Sequence, residues 1–112
     1  MFNDELFLKL TSIQNGDTDQ LLKVLAQEVG HDHPIQTTPM FFKYRGVLIE
    51  QMHETTRILE TLSSEEPGTG NLQSCKTMDK YIRILCRQIS ELADLQTKVA
   101  MQKIEELYPG LA

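Results

Sequence analysis

The sequence predicts an all-α protein: two short N-terminal helices packed on a long antiparallel helical hairpin. Three observations predict it. Residues 71–107 contain neither Pro nor Gly and carry apolar side chains at helical spacing almost throughout. Residues 38–64 show a second long helical pattern, and only a short Pro-Gly-x-Gly stretch separates the two, so they should fold back on each other as an αα-hairpin. Ahead of them, residues 1–30 hold two shorter apolar patterns around an Asn-Gly-Asp turn. The 112 residues are expected to form one domain, 1–112, with 1–30 as the helix pair and 38–64 and 71–107 as the hairpin.

The first helix is announced by Asn3 as N-cap, Asp4 and Glu5 in the first turn, and Phe2 and Phe7 at the positions of a hydrophobic staple. Leu6, Leu10 and Ile13 share a face, which predicts a helix from Asp4 to about Ile13, ended by left-handed residues at Asn15-Gly16. Asp17 caps the second helix, with Gln20 in the capping-box position, and Gly30 stops it. Residues 31–39, His-Asp-His-Pro-Ile-Gln-Thr-Thr-Pro, then break the chain with two prolines.

Thr37 or Thr38 caps the third helix, with Pro39 at its favoured first position. Phe41, Leu48, Met52, Leu59 and Leu62 follow a four-three register, with Arg45 and Thr55 at the intervening places. On the last helix Met78, Ile82, Leu85, Ile89, Leu92 and Val99 form the corresponding stripe. The expected seam is therefore Phe41, Leu48, Met52 and Leu59 against Met78, Leu85, Ile89, Leu92 and Val99. After residues 63–70, Thr69 or Asn71 caps the final helix, which Tyr108-Pro109-Gly110 closes.

Composition narrows the classes of function. Sixteen acidic residues against eleven basic ones give a net charge of -5, an overall field that disfavours nonspecific binding to nucleic acid or anionic membrane. The acidic excess lies in residues 1–70, whereas residues 71–112 carry six bases against five acids. Cys75 and Cys86 are eleven residues apart on one predicted helix, about 16 Å along its axis, too far for an intrachain disulfide. A reduced, cytoplasmic protein is the expectation. The start, Met-Phe-Asn-Asp-Glu, is not a signal peptide, and no apolar run has membrane-spanning length.

The sequence contains no Gly-rich phosphate loop, nucleophile elbow, His-Glu-x-x-His or paired-Cys motif. His31 and His33 resemble a metal pair on a turn, and Glu50 with His53 gives a Glu-x-x-His spacing. A di-metal bundle needs that motif twice, and the last helix has no His, so neither metal nor cofactor is expected, nor is an enzyme. The N-terminal pair outlines a helix-turn-helix, but its second helix offers only Lys23 beside Asp19 and Glu28 to hold phosphate.

More informative is the back of the last helix. At about 100° per residue, Lys76, Lys80, Arg83 and Arg87 fall at about 160°, 200°, 140° and 180° from Met78, one basic ridge opposite the apolar stripe. Beyond Arg87 the same face carries Glu91, Asp94, Lys98 and Glu105. Gln96 lies within the apolar stripe, where a polar residue sets register or oligomer state, and is expected at a helix–helix contact. The expected function is a non-enzymatic protein-binding or assembly module that self-associates. The alternative is a nucleic-acid-associated regulator using the N-terminal pair or the ridge. In architecture alone the chain resembles small phage-type DNA-packaging subunits, which join a helical DNA-binding unit to an oligomerising hairpin. An inhibitor whose acidic residues imitate nucleic acid carries least weight.

Overall fold

A computed structural model describes residues 2–64 and 69–110, with all their side chains except those of 69 and 70. The turn read at Pro67-Gly68 lies outside the described residues, and the last helix begins at Thr69 rather than at 71, so that Thr69 and Asn71 stand within it and not before it as caps. Four helices follow one another: α1 (Asp4–Thr11), α2 (Thr18–Glu28), α3 (Thr38–Ser64) and α4 (Thr69–Leu107). No strand occurs among the described residues. The long pair, α3 and α4, folds back as the predicted hairpin, and α1 and α2 pack against it.

The helix ends follow from backbone groups that must find partners. Asn3 Oδ1 accepts from the Leu6 amide at 3.0 Å, and Asp17 Oδ1 accepts from the Gln20 amide at 3.2 Å. Phe2 and Phe7 close the staple with ring centroids 5.5 Å apart. The first helix stops at Thr11 rather than Ile13. There the Thr11 hydroxyl donates to the Phe7 carbonyl at 2.7 Å and Ser12 to the Lys9 carbonyl at 2.9 Å, side-chain bonds that compete with helical continuation. Ile13 is nonetheless buried. Of the expected left-handed pair only Gly16 has positive φ, at +83°.

Gly30 ends α2 at φ +89°. Its amide donates to Gln27 O at 3.1 Å and that of His31 to Ala26 O at 2.8 Å, the two bonds of a Schellman motif. The following loop is pinned by Tyr44, whose buried hydroxyl accepts from the Ile35 amide at 2.9 Å and donates to the Ile35 carbonyl at 3.2 Å. Replacing Tyr44 by Phe should remove both bonds and cost about 1–2 kcal/mol. Amide exchange at Ile35 should accelerate with it; unchanged exchange would show that the loop is held by something else.

The core joins all four helices: Leu6 and Leu10 from α1, Leu21 and Leu25 from α2, Phe41, Tyr44 and Leu48 from α3, and Tyr81, Leu85 and Leu92 from α4. The seam is turned relative to the one read from spacing. On α3 the buried line is Phe41, Tyr44, Leu48, Gln51 and Thr55, while Met52 and Leu59 are half-buried. On α4 it is Tyr81, Leu85, Gln88 and Leu92, with Met78, Ile89 and Val99 half-buried. The reason is α1, which packs on one flank of α4 and draws Tyr81 and Gln88 inward.

At 1.5 Å per residue the 39 residues of α4 span about 58 Å, nearly the full 61 Å length of the molecule. The rest of the chain covers only part of that length. From Ala100 to Gly110 every residue is exposed. No helix among the described residues is long and apolar enough to cross a membrane.

Candidate interaction surface

Two polar side chains and one aromatic cluster on α4 fix how α1 sits, and so decide what α4 leaves open. Tyr81 receives Phe7 edge-on, with centroids 4.7 Å apart, and Phe2 at 6.0 Å. Its hydroxyl, buried between α3 and α4, donates to Gln51 Oε1 at 3.2 Å. Burial pushes the Tyr81 phenol well above its ordinary ionisation range, because the phenolate would be stripped of water.

Two turns on, fully buried Gln88 donates from Nε2 to the Leu10 carbonyl at 2.9 Å. That carbonyl is one of the last four of α1, which the helix itself cannot satisfy; its other bond is a long one from the Ile13 amide at 3.4 Å. The next polar link is Glu91, whose Oε1 accepts from the Gly16 amide at 3.1 Å and lies 3.5 Å from Arg87 Nε. Gln88 and Glu91 thus tether the end of α1 and the turn after it.

The predicted ridge divides. Arg83 pairs with Asp79 at 3.1 Å in the open, and Arg87 is held by Glu91. Lys76 and Lys80 are exposed and make no ion pair among the described residues. They flank an open groove of about 350 Å³ between α1 and α4, lined also by Phe7, Thr77, Tyr81 and Ile84. Gln96 is half-buried, and the fully buried amide of α4 is Gln88. The histidines do not converge: His31 and His33 lie in the loop and His53 on the exposed side of α3. No group of three potential metal ligands forms among the described residues.

Reading for the core alone missed the far end of α4. Met101, Ile104 and Tyr108 recur at three-four spacing, exposed by 53%, 47% and 59%, with Leu107 beside them at 63%. The signal was in the sequence, since Met101 falls near 140° and Ile104 near 80° from Met78 at about 100° per residue, far around the helix from the core stripe. A second exposed apolar pair, Phe42 and Ile49, lies on α3, where Arg45 stands 4.9 Å from the Phe42 ring. Against models of known families, curated proteins and solved structures, the chain shows no match.

Proposed function

We propose that the protein is a non-enzymatic assembly module that self-associates through the projecting end of α4. The observation that carries this is the run of Met101, Ile104 and Tyr108 on one face of a helix end where every residue is exposed. Burying a large apolar side chain contributes about 1.5–3 kcal/mol, and contiguous apolar patches on a protein surface mark interaction sites. A helix end offering such a stripe is suited to another helix laid along it.

The test is association state. The wild-type protein at tens of micromolar should sediment as a dimer or larger. A Met101→Glu/Ile104→Glu variant, with unchanged far-ultraviolet circular dichroism, should sediment as a monomer. A monomeric wild type under these conditions would overturn the proposal.

The nucleic-acid reading has in its favour unpaired Lys76 and Lys80. Against it, the exposed side of α2 presents Asp19 and Glu28 beside Lys23, and Arg83 and Arg87 are already engaged by carboxylates. Duplex binding that weakens steeply with salt would replace the proposal with that reading.

A further inference from the structure

The projecting end of α4 and the α1–α4 groove complement each other. The groove has an apolar floor, half-buried Phe7 and Ile84 with the buried ring of Tyr81, beside Lys76 and Lys80, which make no ion pair among the described residues. On the projecting end Met101, Ile104 and Tyr108 share a face, at about 140°, 80° and 120° from Met78, and Glu105 borders it at about 180°. Glu105 is exposed and likewise makes no ion pair among the described residues. An apolar face edged by a carboxylate thus matches an apolar slot edged by two ammonium groups. The neighbouring bases leave that match intact. Lys103 lies on another side of the helix, near about 340°, and Lys98 is two turns back from Glu105, in the cleft with Thr18 and Asp94.

One molecule cannot bring the two together, because Lys80 and Ile104 are separated along a single helix by about 36 Å. The complement must come from a second copy, yet two copies cannot exchange ends reciprocally. Such an exchange would lay the two α4 helices antiparallel and side by side over the residues between groove and end. That stretch is already covered on the groove's side. Glu91, at about 220° from Met78 and so in line with the groove residues at about 160° to 260°, accepts from the Gly16 amide at 3.1 Å. Thr18 stands beside Asp94 and Lys98. The turn between α1 and α2 therefore keeps a second α4 from lying along the first, and the contact has to run one way.

We infer that copies of this chain join head to groove, residues 101–108 of one seated between α1 and α4 of the next. Met101 and Ile104 meet Phe7 and Ile84, and Glu105 meets Lys76 and Lys80. This rests on the self-association proposed above and names the surface that receives the projecting end. Arg83 and Arg87 take no part, since Asp79 and Glu91 hold them. A contact of this kind is heterologous, so each added copy still offers an unfilled end and an unfilled groove, and growth continues until a ring closes or a filament forms.

Complementation between two broken copies tests this. Met101→Glu/Ile104→Glu removes the end and keeps the groove, whereas Lys76→Glu/Lys80→Glu reverses the charge of the groove and keeps the end. At a concentration where the wild-type protein is about half associated, each variant alone should sediment as a monomer. For the lysine variant, two attractions become repulsions, which should weaken association roughly tenfold. Mixed in equal amounts, the two variants should form a one-to-one dimer and nothing larger, since one intact end and one intact groove remain. Adding Glu105→Lys to the lysine variant should restore its association, and the mass of the wild type should rise past the dimer with concentration. A lysine variant that associates like the wild type, a mixture that stays monomeric, or a wild type that stops at the dimer would overturn the head-to-groove contact and leave self-association standing. A wild type that is monomeric at tens of micromolar would remove both.

Discussion

Replacing Tyr81 by Ala should destabilise the protein by about 3–5 kcal/mol, the cost of deleting a large buried aromatic side chain. Against a typical domain stability of about 5–15 kcal/mol, that removes a large part of the total. The substitution takes away the ring that Phe2 and Phe7 pack on and the hydroxyl that Gln51 accepts from. Tyr81→Phe keeps the ring and leaves buried Gln51 Oε1 without its donor, for about 1–2 kcal/mol. Urea denaturation of the three proteins should give that order. Equal losses for Ala and Phe would mean that the hydroxyl alone matters.

The same residue sets an alkaline limit. In the unfolded chain a tyrosine ionises near pH 10, whereas burial holds the folded Tyr81 phenol protonated to higher pH. Above about pH 10 the unfolded state therefore binds fewer protons than the folded one, and stability falls as pH rises. Tyr81's neutral form contributes fully below that pH and progressively less above it. Tyr81→Phe should show a flatter decline in melting temperature between about pH 9 and 11; parallel curves for the two proteins would contradict the assignment.

Much of the fold was legible because its signals are local. Asn3, Asp17 and Gly30 act on backbone groups within a turn of themselves, and the chain places them where caps and stops belong. The hairpin follows from two long helical patterns and a short link. What spacing could not supply was the rotation of each helix about its axis. Met78, Ile82 and Ile89 are more apolar than Tyr81 and Gln88, yet the latter pair is buried, because their partners come from α1, far away in sequence. A polar residue's claim to the interior depends on who meets its hydrogen bonds, and Leu10 is 78 residues from Gln88. The basic ridge was legible as a pattern. Its division into paired arginines and unpaired lysines was not, because Glu91 could be placed only once the turn at Gly16 was seen to hold it.

Gln88 gives the second large effect, and one that separates packing from hydrogen bonding. Its Nε2 satisfies the Leu10 carbonyl, while its own Oε1 is buried without a partner among the described residues. Gln88→Ala opens a cavity and leaves the Leu10 carbonyl only its longer bond from the Ile13 amide at 3.4 Å, for about 2–4 kcal/mol. Gln88→Leu loses the same bond but fills most of that space and removes the unmatched Oε1, so it should cost less than Ala, about 1–2 kcal/mol. Gln88→Glu buries a carboxylate beside a carbonyl and should be the worst, above about 3 kcal/mol. Thermal melts at neutral pH should rank Leu above Ala above Glu; Ala and Leu melting together would show that the site collapses without cost.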